Sequence, residues 1–262
     1  MKKFIILTSG AEHLAKNLQK LSAKTDSEVI TLAKNKDNSR IFPDGEIYAR
    51  IPGINKLENK KVTVVHSGMP NPNDGLAELE LAIQILKNTK AKIEVFFAYF
   101  PYGMQDAAFE AGEANAAEEL IKKFTDYYGI KKIYVLDPHF GKRSWQNKYP
   151  IINISAVPLL VKKAKKDFGS DILFLSCDKG GKRRTGISGT EKKRLDSFKV
   201  EFLSHNIDFK GKNIAVVDDI IETGGTLLKF YKLAKDSGAK NVIALITHGV
   251  LPEGIKKIKK EF

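Results

Sequence analysis

Short apolar runs alternate with helix-spaced stretches along almost the whole chain, and this alternation limits the fold more than any other feature. "FIILTSG" reads as a strand with a helix behind it. "KVTVVHSG" is strand-like, "GLAELELAIQILKN" has helical spacing, and "KIEVFFAYF" is again strand-like. "ANAAEELIKKFTDYYG" reads as a helix with Gly129 near its C-terminal end, and "KIYVLD" as a strand. The second half alternates in the same way, with helix "AVPLLVKKAKKDFG", strands "DILFLSCD" and "NIAVVDD", helix "GTLLKFYKLAKDSGA" and strand "NVIALITHG". Strands separated by helices predict parallel sheets with helices on their faces, because parallel neighbours need long crossovers. The halves meet near residue 145, which predicts two α/β domains, 1–145 and 146–262, a size that 262 residues suit. The segment from Phe42 to Ile51 reads as an extra hairpin or a loop plus strand. There is no short-period repeat and no low-complexity linker.

Composition removes several classes. A hydrophobic content of 42% supports a packed core and argues against disorder. The single cysteine, Cys177, rules out an intrachain disulfide and suits a reducing compartment. The start, "MKKFIIL", imitates a secretory signal, but its apolar run is short and no small-residue cleavage site follows, so it reads as a first strand. No stretch approaches the roughly 20 apolar residues of a membrane helix. The expectation is a soluble, cytoplasmic protein. A net charge of +13 attracts anions, whether nucleic acid, anionic membrane or phosphorylated metabolite, and does not choose among them.

The strand ends narrow the choice, since open α/β sheets bind ligands beyond the carboxyl ends of their strands. His66 and Ser67 end one predicted strand. Pro101–Asp106 follows another, and Asp137 and His139 follow a third. Asp178 ends a fourth, and Asp218 with Asp219 a fifth. In "VVDDIIETGGT" (216–226) the two acids read as closing the strand, Ile220 and Ile221 as packing a turn, and Thr223–Thr226 as leading into a helix. Backbone N–H groups at such a helix start form a nest for a phosphate. Gly224 and Gly225 permit positive φ and close approach, and the hydroxyls of Thr223 and Thr226 can donate to phosphate oxygens. Carboxylates cannot bind phosphate, but they hold sugar hydroxyls or hydrated Mg2+ beside it. Acids beside a phosphate nest point to a sugar phosphate. The stretch is neither a Walker A loop nor a GxGxxG turn. A nucleic-acid binder using the basic 182–194 stretch is the competing class, but Asp218 and Asp219 would repel backbone phosphate.

"VVDDIIETGGT" resembles the ribose-phosphate signature of the phosphoribosyltransferase superfamily, and further segments narrow the resemblance to the ribose-phosphate pyrophosphokinase (PRPP synthetase) family. "FPDGEIYARI" (42–51) resembles that family's F-[SP]-[DN]-G-E segment, and "YFPYGMQDAAFEAGE" (99–113) its Y-x-R-Q-D region. "VLDPHF" (135–140) resembles its D-x-H metal segment, "SCDKGG" (176–181) its S-P-D-x-G segment, and "EKKR" (191–194) its flexible catalytic loop. "THG" (247–249) closes the second domain as it does in that family. The ordered set spans nearly the whole chain. The resemblance implies two phosphoribosyltransferase-like domains, and transfer of a diphosphoryl group from Mg-ATP to ribose 5-phosphate, giving PRPP and AMP. It implies ribose-phosphate binding by Asp218, Asp219, Thr223, Gly224, Gly225 and Thr226, and Mg2+ binding by His139 and Asp178. Lys192 and Arg194 would meet the charge of the transition state. ATP would be held by Phe42, Asp44, Glu46, Gln105 and Asp106, the first three reaching the adenosine from a neighbouring subunit, so a homo-oligomer is implied.

The match also has gaps. Met104 stands where the family has an ATP-contacting arginine, and Ala107 and Ala108 replace basic residues. A methionine cannot neutralise phosphate. The family's helix between Asp178 and "EKKR" gives way to "GGKRRTGISGT", and Arg183 or Arg184 could supply the lost charge. With "EKKR", that stretch carries six basic residues and four glycines, the composition of a mobile anion-binding loop. The chain ends at Phe262, where the family normally continues. Three readings stand: a divergent synthetase, a phosphoribosyltransferase with another donor or acceptor, and a catalytically weak regulatory relative. No base-binding hood is visible for the second, and Lys192 and Arg194 weigh against the third.

Overall fold

A computed structural model describes residues 2–176, 185, 191–194, 200–203 and 208–262. They form two compact units: residues 1–136 with 143–154, and residues 137–142 with 155–262.

The N-terminal unit is built on a six-stranded parallel sheet. Its strands are β1 (Lys3–Leu7), β2 (Ser27–Thr31), β3 (Lys61–Ser67), β4 (Lys92–Tyr99), β5 (Ile133–Leu136) and β6 (Ile151–Ile154), in the order β2-β1-β3-β4-β5-β6. Ile6, Val64, Val95 and Ile133 lie in one row across four strands and are fully buried. Helix α2 (Pro72–Lys87) turns Leu79, Ala82, Ile83 and Leu86 inward. Helix α1 (Ala15–Ser22) supplies Ala15 and Leu18, which pack around Leu7 and Val65. Phe97 and Phe124 add a ring contact at 5.6 Å, Phe124 lying in a π-helical turn that extends α3 (Ala116–Lys122). The 42–51 segment is a loop, pinned by one antiparallel bridge between Ile41 and Ile47.

The C-terminal unit has a three-stranded parallel sheet of β7 (Ile172–Ser176), β10 (Asn213–Ile221) and β11 (Asn241–Gly249), with β10 central. A separate antiparallel pair joins β8 (Glu191–Arg194) and β9 (Val200–Leu203). The central strand is apolar on both faces, as a strand covered twice must be. Ala215 and Val217 meet Val157 and Ala164 of α4 (Val157–Phe168). Ile214 and Val216 meet Leu227 and Phe230 of α5 (Gly225–Asp236) and Ile258 of α6 (Pro252–Glu261).

The alternation thus reads correctly as helix-covered parallel sheet, with three local differences. β10 does not stop at its acids: Ile220 and Ile221 stay paired with His248 and Gly249, so the carboxylates sit within the paired strand, just short of its end. "EKKR" is extended and ladder-bonded along its backbone rather than a loop, since Lys192 pairs Phe202 and Arg194 pairs Val200. Strands β2, β6 and β9 and helix α6 are not marked by the apolar pattern of the sequence. Among the described residues, no helix is long and apolar enough to cross a membrane.

Candidate active site

In the C-terminal unit the acid pair is set by β10. Asp218 and Asp219 are 9% and 2% exposed, and the backbone N–H of Asp219 donates to Asp218 Oδ1 at 3.0 Å. Two buried carboxylates side by side in one strand are costly unless they are held. One hold is visible: His139 Nδ1 lies 2.8 Å from Asp219 Oδ2. This contact occupies Nδ1 and leaves Nε2 as the other ring nitrogen. His139 sits on the short segment 137–142, which Asp137 fastens. Asp137 Oδ2 accepts from the Ala156 N–H at 2.9 Å and from Thr247 Oγ1 at 2.6 Å. Asp137 therefore ties this segment to the start of α4 and to β11, and its φ of +35° shows how sharply the chain turns there.

The turn after β10 leads straight into α5. Gly224 caps the helix with φ +74°, a conformation that costs a residue with a Cβ roughly 1–2 kcal/mol. Gly225 is the first helical residue and does not need positive φ, which revises the expectation that both glycines would. A Cβ on Gly225 would meet nothing closer than Thr223 Oγ1 at 3.8 Å. The fold therefore tolerates a side chain at 225, and the bare position is useful to something that approaches the backbone from outside. No side chain caps the helix start, and neither Thr223 nor Thr226 spends its hydroxyl on a partner among the described residues. The N–H groups and hydroxyls of this turn remain for an anion.

Sequence reasoning misses what supports the turn from behind. A Cβ on Gly254 would lie 1.8 Å from Glu222 O, so α6 reaches the loop only because residue 254 is glycine. Pro252 at the helix start and the Ile255/Ile258 spacing are the signals for α6 in the sequence.

The N-terminal unit holds the residues that the resemblance ties to ATP. Phe42 is 39% exposed and meets Tyr48 edge-on at 5.8 Å. Asp44 Oδ1 accepts from the Glu46 N–H at 3.1 Å, and Phe42 N–H donates to Glu46 O at 2.8 Å, closing a tight turn with Gly45 at φ +93°. Both acids are exposed at its tip. Gln105 is exposed, with its backbone fixed by Tyr102 and Ala117. Asp106 faces the other way. It is 2% exposed, and Arg143 forks it through Nε to Oδ2 at 2.7 Å and Nη2 to Oδ1 at 2.8 Å, while Trp145 Nε1 donates to its carbonyl at 3.1 Å. Such a two-pronged pair is the strong form of a carboxylate contact. Sequence reasoning also misses Arg143, because nothing in "GKRSWQ" marks it as a partner of residue 106. His66, also at a strand end, is fully buried with its pKa lowered to about 3 by burial, so it is a neutral core histidine, bonded through Nδ1 to Thr8.

Asp178 and the side chains of Lys192 and Arg194 lie outside what the structure describes. Among the described residues no three His, Cys, Asp or Glu side chains converge as a ready metal cage. Mg2+ seldom uses one. It is commonly held by one or two carboxylates together with substrate phosphates and waters; of the two residues that the resemblance ties to Mg2+, His139 is described, beside the Asp219 carboxylate, and Asp178 is not.

A family model for the N-terminal domain of ribose phosphate pyrophosphokinase matches residues 5–127, and one for the phosphoribosyl transferase domain matches residues 168–261. The ribose-phosphate pyrophosphokinase of Pyrococcus furiosus is 31% identical, over 98% of this chain and 90% of its own length. Ribose-phosphate pyrophosphokinase 2 of Archaeoglobus fulgidus is 32% identical, over 81% of this chain and 75% of its own. In fold, the chain is similar to the crystal structure of phosphoribosylpyrophosphate synthetase from Mycobacterium smegmatis, with a TM-score of 0.81 over 100% of this chain and 86% of that one at 24% identity. Two matched domains in order, and relatives of this identity along nearly the full length, establish that the chain belongs to the ribose-phosphate pyrophosphokinase family.

Proposed function

We propose that this protein is a ribose-phosphate diphosphokinase, making PRPP for nucleotide biosynthesis. The 1-hydroxyl oxygen of ribose 5-phosphate attacks the β-phosphorus of ATP. The bond from that phosphorus to the α–β bridging oxygen breaks, AMP leaves, and the hydroxyl proton passes to solvent. The observation that carries the reading is the end of β10: two buried carboxylates beside an uncapped helix start with free threonine hydroxyls. The turn Thr223–Thr226 takes the 5-phosphate, and Asp218 and Asp219 take the ribose hydroxyls. No covalent nucleophile is required, because phosphoryl-type transfer depends on positioning and charge neutralisation.

Mg2+ would supply charge neutralisation on the polyphosphate, held through His139 Nε2, directly or by a water, and through Asp178. Lys192 and Arg194 meet the charge that builds on the transferred group. Phe42, Asp44, Glu46 and Gln105 form the adenosine side, the exposed tip at 42–46 serving a neighbouring copy in a homo-oligomer. Asp106 acts through its pair with Arg143, fixing the loop that carries Gln105. Ile152 and Ile154, exposed on edge strand β6, add apolar surface that suits self-association. A cytoplasmic location suits phosphorylated metabolites as substrates and a chain with a single cysteine.

The test is AMP release from ATP, Mg2+ and ribose 5-phosphate. AMP should require all three and should fall at least about 100-fold in Lys192→Ala. Ribose 5-phosphate binding without any AMP would overturn the reading in favour of another donor or a regulatory relative.

A further inference from the structure

The N-terminal unit carries a cavity of about 460 Å3 to which the reaction above assigns no role. It opens beyond the carboxyl ends of β1 and β3. From β1 the chain turns to β2 on one side of the sheet and then crosses back to β3 on the other. Such a switch point is where an open α/β sheet leaves a crevice for a ligand, and the volume lies within the range of small-molecule sites.

The crevice is built rather than incidental. A Cβ on Gly10 would lie 2.2 Å from Ser67 O and 2.7 Å from Met69 O, so the turns after β1 and β3 are in backbone contact. The buried Glu78 carboxylate accepts from Ser9 N–H at 2.7 Å and from Ser9 Oγ at 2.8 Å. Arg40 lies between Glu78, 3.8 Å from its Nε, and Glu12, to which its guanidinium also donates. Arg40 thus links the two acids, although its Nε makes no hydrogen bond among the described residues.

Other polar groups lining the cavity have no such partner. Lys34, Asn38, Ser67, Asn71 and Asp74 make no side-chain hydrogen bond or ion pair among the described residues. Ser67 is only 7% exposed. These polar side chains line the cavity and are available to a ligand that enters it. Ile41, Ile47, Met69 and Pro70 complete the lining with apolar surface. In a chain of net charge +13, this lining is the exception: Lys34 and Arg40 face Glu12, Asp74 and Glu78, leaving an excess of negative charge. A phosphate is disfavoured there, whereas hydroxyls, which donate to carboxylates, are welcome.

We propose that this cavity binds a neutral nucleoside, its base against the apolar side chains and its ribose diol on Asp74, Ser67 and Asn71. Every residue involved lies in the N-terminal unit, and none is assigned to diphosphoryl transfer, so AMP release can succeed or fail independently.

The experiment is calorimetric titration of the full-length protein with uridine, adenosine, AMP and ribose. Nucleosides should bind with sub-millimolar Kd, at least tenfold more tightly than AMP or ribose. Asp74→Ala and Ile47→Asp, each checked for native circular dichroism, should each weaken nucleoside binding at least tenfold. The pair Asp218→Asn with Asp219→Asn, and Gln105→Ala, should leave it unchanged. No nucleoside binding up to several millimolar overturns the proposal. So does binding indifferent to both cavity variants, or AMP or ribose binding that is as tight as that of the nucleosides and is lost in Asp74→Ala and Ile47→Asp.

Discussion

Two loops, each following the carboxyl end of a parallel strand, have gone different ways. At the end of β10, two buried acids within the strand precede a turn of two threonines and two glycines, whose hydroxyls make no side-chain hydrogen bond among the described residues. After β4, the corresponding stretch carries Met104 at 37% exposure, and its acid, Asp106, is turned inward onto Arg143. The first loop leaves its helix start uncapped and its hydroxyls unspent. In the second, the acid nearest the strand has become scaffold, while Met104 and Gln105 beside it are exposed. Diphosphoryl transfer needs charge neutralised on the ATP side, and under the proposed function that burden would fall on Lys192 and Arg194.

The largest expected effect tests the first loop. Asp218→Asn with Asp219→Asn removes both charges while keeping shape, and ribose 5-phosphate affinity should fall at least about 100-fold, since hydrogen bonds to charged groups contribute roughly 1.5–3 kcal/mol each. Direct binding measurement is the check. An affinity within threefold of the parent would mean that this end of β10 does not hold the sugar.

The second loop should respond in stability. Arg143→Ala leaves the buried Asp106 carboxylate without its two-pronged partner. A loss of about 2–3 kcal/mol is expected, less than for a fully buried pair because Arg143 is 34% exposed. Melting should drop by roughly 5–10 °C. Adding Asp106→Asn to Arg143→Ala should recover part of the loss, because the stranded charge is gone. A parent-like melting curve for Arg143→Ala would show that Asp106 is not a structural anchor.

The two glycines sharpen the contrast within the first loop. Gly225→Ala should melt like the parent, as its Cβ finds open space, yet weaken ribose 5-phosphate binding by about tenfold through crowding the phosphate. Gly224→Ala should lower stability by about 1–2 kcal/mol, from its φ of +74° and a Cβ 3.3 Å from both Gly254 O and Ile258. If Gly225→Ala binds normally, the anion does not approach the backbone there.

What could be read from the sequence follows burial. β10 is covered on both faces, so its run from Ile214 to Val217 is unbroken and unmistakable. β2 and β6 are the two edges of the six-stranded sheet, and their residues are half-buried or exposed. "SEVIT" and "IINI" therefore lack the continuous apolar signal. Helix α6 hides behind lysines, because four of its ten residues are Lys and only a narrow stripe packs inward. The candidate site divides the same way. Asp218, Asp219 and the glycine turn are contiguous, so the local sequence displays them. The contacts that hold them are far apart in sequence: Asp219 with His139, Asp137 with Thr247, Gly254 against Glu222, Asp106 with Arg143. Long-range packing brings those pairs together, and no spacing rule exposes them.

The smallest expected effect asks whether the second loop can be returned to a ligand-facing role. Met104→Arg puts a guanidinium at an exposed position beside Gln105. The added cation should not be captured by Asp106, since Arg143 already engages both of its carboxylate oxygens. It remains available to the polyphosphate of ATP. At an exposed site, screened by salt and costing side-chain entropy, the gain is about 1 kcal/mol, or roughly a fivefold fall in the KM for ATP. The KM for ribose 5-phosphate should not move, because the proposed function assigns that substrate to β10 and its turn. Raising salt should erase the difference between variant and parent. A KM for ATP unchanged by Met104→Arg at low salt would mean that the ATP phosphates do not pass this loop at all, and that neutralisation rests wholly on other basic residues.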